Sequence, residues 1–362
     1  YELERYADAE AAYMTVLETL PGADERRDDL VDNLAASIYQ QAEAANASND
    51  FRTAADHFLR VSKMAPTSAI RPNAEFDAAT ALIRLEDWTA AAVVLTGFRQ
   101  TFPNHALQPE VTKKIAYVYR QDGRLVQAAK EYERIETETD DEEIRREALL
   151  TAAELYEEAG DAALTLMVYQ RYVAYFTEPI ELNIETRHKI SVLLKASNDI
   201  EGYLQELENI VVIDATAGDK RTDRTRYLAS RSALVLAERT YARFVAVRLV
   251  DPLETNLRNK QSLMKEATQQ FNQLLDYEVA EVTAASTFYL AEVYAHFSMA
   301  LMESERPDNL TPLELEQYEL AIEEQAYPFE EKAIIVHESN LELISLGIFN
   351  DWIEKSLQKL AE

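Results

Sequence analysis

Five histidines (His57, His105, His188, His296 and His337) and a series of adjacent acids are the residues from which this sequence could build a reactive centre. Two imidazoles three or four residues apart on a helix would share a metal ion. None of the five is spaced that way, and no HExxH occurs. With no cysteine in the chain, thiolate ligands, thiol nucleophiles and disulfides are excluded, while the compartment stays open. Phosphate-cradling glycine loops and the GxSxG elbow are missing as well. The acid pairs Asp140-Asp141, Glu142-Glu143, Glu157-Glu158, Glu323-Glu324 and Glu330-Glu331 could do acid–base work on a sugar if held ~5–10 Å apart in a cleft. An α/α carbohydrate-active enzyme is therefore the catalytic alternative. Such clefts need indole platforms and long irregular loops, and the chain has 2 Trp and 7 Gly. The pairs fall where helices start or face solvent, as solvation and helix dipoles favour. The expectation is a protein without catalytic residues, metal or cofactor.

A second chemical feature is basic. From Lys220 to Lys265 eleven Lys/Arg stand against four Asp/Glu, whereas Glu266 to Glu362 carries twenty acids against four bases. On a helical wheel Arg221, Arg224, Arg231, Arg239 and Arg243 fall on one side. This strip can pack beside acidic helices of its own chain or dock an acidic partner. Over all 362 residues, 65 Asp+Glu against 36 Lys+Arg give a net charge of -29, which repels phosphate backbones and argues against nucleic acid as a partner. No apolar run reaches the ~20 residues that span a bilayer, so membrane insertion is not expected.

The elements that must position these residues follow from a repeat. Ala42, Ala79, Ala116 and Ala153 form a column with a step of 37 residues, as do Ala54, Ala91, Ala128 and Thr165. Phe58, Leu95, Tyr132 and Tyr169 form a third column, Phe51, Trp88, Leu125 and Ala162 a fourth, and Pro66 and Pro103 begin a fifth. Each copy reads as a helix, a breaker (Asn49-Asp50, Glu86-Asp87, Asp122-Gly123, Gly160-Asp161) and a second helix with small and large residues four apart on one face. Proline ends the second helix. One such unit cannot bury its apolar face alone, so copies must stack.

These residues resemble the tetratricopeptide repeat family. Ala79, Ala91 and Pro103, with Leu95 in the aromatic slot, fit its pattern, as do Ala116, Ala128 and Tyr132, with Tyr119 in the first helix. The departure is a 37-residue rather than a 34-residue period. Tyr6, Ala9, Tyr13, Val16 and Pro21 match the second half of a further copy, so the chain is read as a trimmed piece beginning at Tyr1, with an uncapped helix face that could self-associate. The expected architecture is all-α, a helix-turn-helix superhelix over residues 1–214 (a truncated copy, four copies, and a degenerate pair at 182–196 and 200–213) continued by a longer-helix region over 215–362. There, helices are expected at 221–249, 253–277 and 279–305, from Thr311 to a break at Pro328, and at 329–344 and 348–360. The stretch from Arg306 to Ile334 is similar to the tail of repeat proteins from proteobacterial cell envelopes, which implies a periplasmic or envelope location, with the cytoplasm the alternative.

The resemblance implies a non-catalytic scaffold that binds a segment of another protein in a groove lined by the first helices. Carried over by register, that groove is Tyr39 and Glu43, then Asn73, Phe76 and Arg84, then Lys113, Tyr117 and Arg120, then Glu154 and Glu157. The family's carboxylate-gripping set of two Lys, two Asn and one Arg is incomplete here. The mixture of rings and acids suits a segment with apolar anchors and Lys/Arg. The alternative is a receptor for a small peptide or ligand, favoured if a compact pocket forms near residues 180–230.

Overall fold

A computed structural model describes residues 5–308 and 310–362. Tyr1, where the truncated copy was expected to start, and Asn309 in the tail segment lie outside these residues. The described chain is all-α, and it divides into two compact units, Tyr1–Tyr172 and Val173–Glu362.

The first unit is a run of helix pairs. After α1 (Tyr6–Thr19) come α2 (Arg27–Ala47) and α3 (Phe51–Met64), α4 (Arg71–Arg84) and α5 (Trp88–Thr101), α6 (Gln108–Gln121) and α7 (Leu125–Glu138), then α8 (Glu142–Glu158) and α9 (Ala162–Tyr175), whose last three residues belong to the second unit. Through α8, each helix packs chiefly on its neighbours in sequence, the contact pattern of a stacked tetratricopeptide-like repeat. Both small-residue columns are 0 or 1% exposed throughout, so there helices approach with nothing larger than a methyl or, at Thr165, a hydroxyethyl group between them. Phe58, Leu95 and Tyr169 fill the space beside them, while Tyr132 is partly buried.

The turns repeat as faithfully as the core. Second helices start at Phe51, Trp88, Leu125 and Ala162, the residues of the fourth column. Just before each lies one left-handed residue: Asn49 (φ 62°), Glu86 (φ 56°), Gly123 (φ 71°) or Gly160 (φ 75°). An aspartate then caps the helix, Asp50 accepting from the Thr53 amide at 3.2 Å and Asp87 from Ala90 at 3.3 Å. In the third copy Arg124 occupies the cap position and supplies no such bond.

In the second unit α10 (Ile180–Ala196) and α11 (Ile200–Thr216) repeat the motif, with Asn198 left-handed and Asp199 as cap. The helices then lengthen: α12 (Asp223–Ala246), α13 (Leu253–Leu275), α14 (Ala280–Met302) and α15 (Pro312–Glu342), closed by α16 (Asp351–Ala361). The sequence changes character at 214/215, yet Ile184 and Ile210 of the pair share one apolar cluster with Leu228 and Ala229 of α12. Packing therefore keeps α10 and α11 in this unit. The expected break at Pro328 is corrected: α15 runs through it for 31 residues from a Thr311–Glu314 capping box. Pro328 is exposed, as is Glu324, whose carbonyl it leaves without an intrahelical donor, while Ala326 and Ala333 on the opposite side are buried and Phe329 packs on Phe297 at 4.7 Å.

Candidate functional site

In the first unit the expected groove follows one side of the first helices α2, α4, α6 and α8. Glu43, Asn73, Arg84, Lys113, Tyr117, Arg120, Glu154 and Glu157 are all exposed on it, while Tyr39 and Phe76 are half-buried against the core. These two rings are engaged with the next copy. The Tyr39 hydroxyl donates to Asp77 Oδ2 at 2.5 Å, and the Lys114 ammonium lies 4.9 Å from the centre of the Phe76 ring. In parallel, Arg84 donates to Asn46 Oδ1 at 3.2 Å and covers the Phe51 ring at 5.1 Å. Tyr39–Asp77, Phe76–Lys114 and Asn46–Arg84 are each 38 residues apart. One position beyond the repeat turns a side chain by 100°, from the matching face of the next helix to the flank that meets its predecessor.

Register arithmetic at 37 residues finds Lys113, which is exposed and paired with Glu110 of its own helix at 2.8 Å. It misses Asp77 and Lys114, which reach Tyr39 and Phe76 of the preceding copy. Burial is the main cause holding the Lys114 ammonium below its ordinary value, opposed by Glu110 and Asp77 and reinforced by Arg84. Burial, then Asp77, likewise pushes the Tyr39 phenol well up.

Tyr117 is the exposed ring among the expected groove residues. It is 46% exposed and stands edge-on to Trp88, with ring centres 6.0 Å apart. Lys113 and Arg120 flank it on α6, and the neighbouring first helix α8 presents Glu147, Glu154, Glu157 and Glu158. An exposed ring with cations beside it on one helix and carboxylates on the next first helix can grip a segment with an apolar residue and charges of both signs.

The second unit contains the Arg221–Arg243 strip. Arg221 pairs with the buried carboxylate of Asp214 at 2.8 Å, Arg224 with Glu185 at 2.8 Å, Arg231 with Glu281 at 2.9 Å and Arg243 with Glu266 at 3.9 Å; Arg239 is exposed. Arg224 and Arg231 also border a cavity of about 660 Å³ between α10, α11 and α12, where His188, Lys195, Tyr203 and Trp352 contribute lining. Burial, then these two guanidiniums, lowers the His188 pKa, favouring a neutral imidazole. The cavity's lining overlaps residues 180–230 in part, from His188 to Leu228, and extends beyond them to Glu238, Glu281 and Trp352.

Sequence spacing gave no sign of a further constellation. His337 Nδ1 lies 3.1 Å from Ser356 Oγ, and its Nε2 lies 3.3 Å from Glu292 Oε1. Nucleophile, base and acid are thus in line. However, Ser356 is 0% exposed, takes a hydrogen bond from the Asn340 amide at 2.8 Å, and does not line the adjoining cavity. Asn340 also donates to the Ala284 carbonyl, so these residues fasten α14, α15 and α16 together. Among the described residues no group of three His, Asp or Glu is arranged to hold a metal ion, and no helix is long and apolar enough to cross a membrane.

No family profile and no curated protein match this sequence. Among solved structures, a tetratricopeptide repeat protein from Parabacteroides merdae aligns over 91% of this chain and 99% of its own at 11% identity, with a TM-score of 0.32. BtubC (BKLC) from P. vanneervenii aligns over 59% and 93% at 14% identity with a TM-score of 0.28, and a circular tandem repeat protein over 98% and 89% at 13% with 0.24. The helix pairs and their 37-residue register, rather than these loose superpositions, define the fold.

Proposed function

We propose that the protein is a non-catalytic scaffold or adaptor that captures a segment of another protein along the first helices of its first unit. The observation that carries this reading is Tyr117, an exposed ring backed by Trp88 and flanked by Lys113 and Arg120 on α6, with exposed carboxylates on the next first helix α8. A helical-repeat fold of this kind commonly serves as an interaction scaffold, and the segment suited here has an apolar anchor with basic residues toward α8. The overall charge of -29 disfavours nucleic acid. The similarity of the Arg306–Ile334 segment to envelope repeat proteins supports a periplasmic or envelope location, which fractionation of the source cells would check.

The test is quantitative capture of cross-linked partners by the folded chain and by a Tyr117→Ala, Arg120→Glu variant. One partner should be recovered in a salt-sensitive way and lost from the variant, with helicity by circular dichroism unchanged. Equal recovery by both chains would overturn the assignment of the face. A second reading, a receptor for a small ligand, is favoured by the 660 Å³ cavity beside His188 and Arg231. Stabilisation by short peptides or small molecules in a thermal-shift screen, abolished by Arg231→Ala, would support it.

A further inference from the structure

The acids of the C-terminal third are not all on plain solvated faces. Along α15, Leu313, Leu320, Tyr327 and Ile334 recur every seven residues and are 64, 55, 62 and 46% exposed. A seven-residue spacing drifts only ~20° per step on a straight helix, so the four side chains form one continuous seam. Its second half borders a furrow between α14 and α15 made of two adjoining cavities of about 500 and 390 Å³, with Glu330 lining both. The furrow contains Met302 and Met299, both exposed, with Ala326 and Ala333 beneath. Methionine side chains are unbranched and polarisable, and they conform to varied apolar partners.

Charge gives the furrow its sign. Glu323, Glu324 and Glu330 line it along α15 and Glu292 along α14, while Lys359, at its α16 end, is paired with Glu362 at 2.9 Å. The one cation of α15, Lys332, covers the Tyr294 ring at 4.2 Å in a separate depression beside α13. From Glu323 to His337 the furrow runs for about 20 Å, the length of four helical turns.

We propose that this furrow docks a cationic amphipathic helix of a partner protein, its apolar face on Met299, Met302, Tyr327 and Ile334 and its Lys/Arg toward Glu323, Glu324 and Glu330. A soft apolar floor with acidic rims is the complement of such a helix. The surface is separate from the Tyr117 face, so the two proposals stand or fall independently.

The probe is a synthetic sixteen-residue helical peptide with leucines on one face and lysines on the other, followed by fluorescence anisotropy against the full chain. Its controls are a scrambled sequence of the same composition and an isomer with glutamates in place of the lysines. The basic amphipathic probe should bind, weaken with salt, and lose at least about tenfold in affinity to E323K/E324K/E330K and separately to Ile334→Glu, with helicity preserved. Tyr117→Ala should leave it unchanged. Equal binding of the scrambled peptide, which would report mere attraction to an acidic protein, overturns the proposal. So does indifference to both furrow variants. Dissociation of a dimer of this chain by Ile334→Glu, seen in sedimentation, would assign the furrow to a second copy instead and overturn the partner helix.

Discussion

Lys260 shows at the level of a single residue how packing overrules composition. Its side chain is fully buried, and its ammonium donates to the carbonyls of Phe244 at 3.0 Å and Val247 at 2.8 Å while lying 4.4 Å from the centre of the Phe244 ring. It closes the C-terminal end of α12, where carbonyls lack intrahelical donors. Burial lowers its pKa from 10.5 to about 8. Between these values the unfolded chain holds a proton that the folded chain has released, so stability should climb as pH rises through this window, by up to about 3 kcal/mol. Urea unfolding across that range should show the native protein gaining on Lys260→Met by that amount, a difference in which the titration of buried phenols such as Tyr39, common to both chains, cancels. In the sequence Lys260 is one more cation of a basic stretch, because burial depends on what α12 and α13 bring around it. The same limit hid the His337–Ser356 contact, which joins residues nineteen positions apart on two helices. Asp77 and Lys114 were hidden for a different reason, since the repeat step is 37 and their contacts run at 38.

At the scale of the element, the turns were legible because their chemistry is local. A left-handed residue followed by a capping aspartate is written in Asn49-Asp50, Gly160-Asp161 and Asn198-Asp199. Glu86 holds the same conformation at φ 56° with a β-carbon that disfavours it. Glu86→Gly should therefore stabilise the protein by about 0.5–1 kcal/mol in denaturant unfolding, and Gly160→Glu should destabilise it by a similar amount. No heavy atom stands within 4 Å of the β-position at Gly160, so the converse change tests backbone conformation free of steric conflict. Pro328 misled for a complementary reason. A proline inside a helix removes one hydrogen bond, and whether the helix ends there depends on anchoring to either side. Ala326, Phe329 and Ala333 supply that anchoring, and it is tertiary.

At the scale of the whole molecule, the net charge of -29 is unevenly distributed. The strip Arg221, Arg224, Arg231 and Arg243 meets acids of its own unit, whereas Glu323, Glu324 and Glu330 beside the α14–α15 furrow face solvent. Raising the salt concentration should therefore weaken a basic helix in the furrow far more than it lowers the unfolding midpoint, because the Arg221–Asp214 pair is partly buried and screened less. Titration of the lysine-bearing probe and thermal unfolding over the same salt series would compare the two. Fold class and period could be read from sequence because periodicity repeats one local solution. The furrow could not, since it exists only where two long helices lie side by side. The turn that precedes each second helix has a further consequence. Because Trp88 and Leu125 open their helices from the same backbone conformation 37 residues apart, the stretch between them is an interchangeable cassette. A second copy of residues 88–124 inserted before Leu125 would meet at its far end the joint it already has, and at its near end the same backbone turn with Arg124 in place of the capping Asp87. Such a lengthened chain should gain helical signal in proportion and unfold no earlier than the parent, as in a chain of links where one more link changes the length and not the clasp.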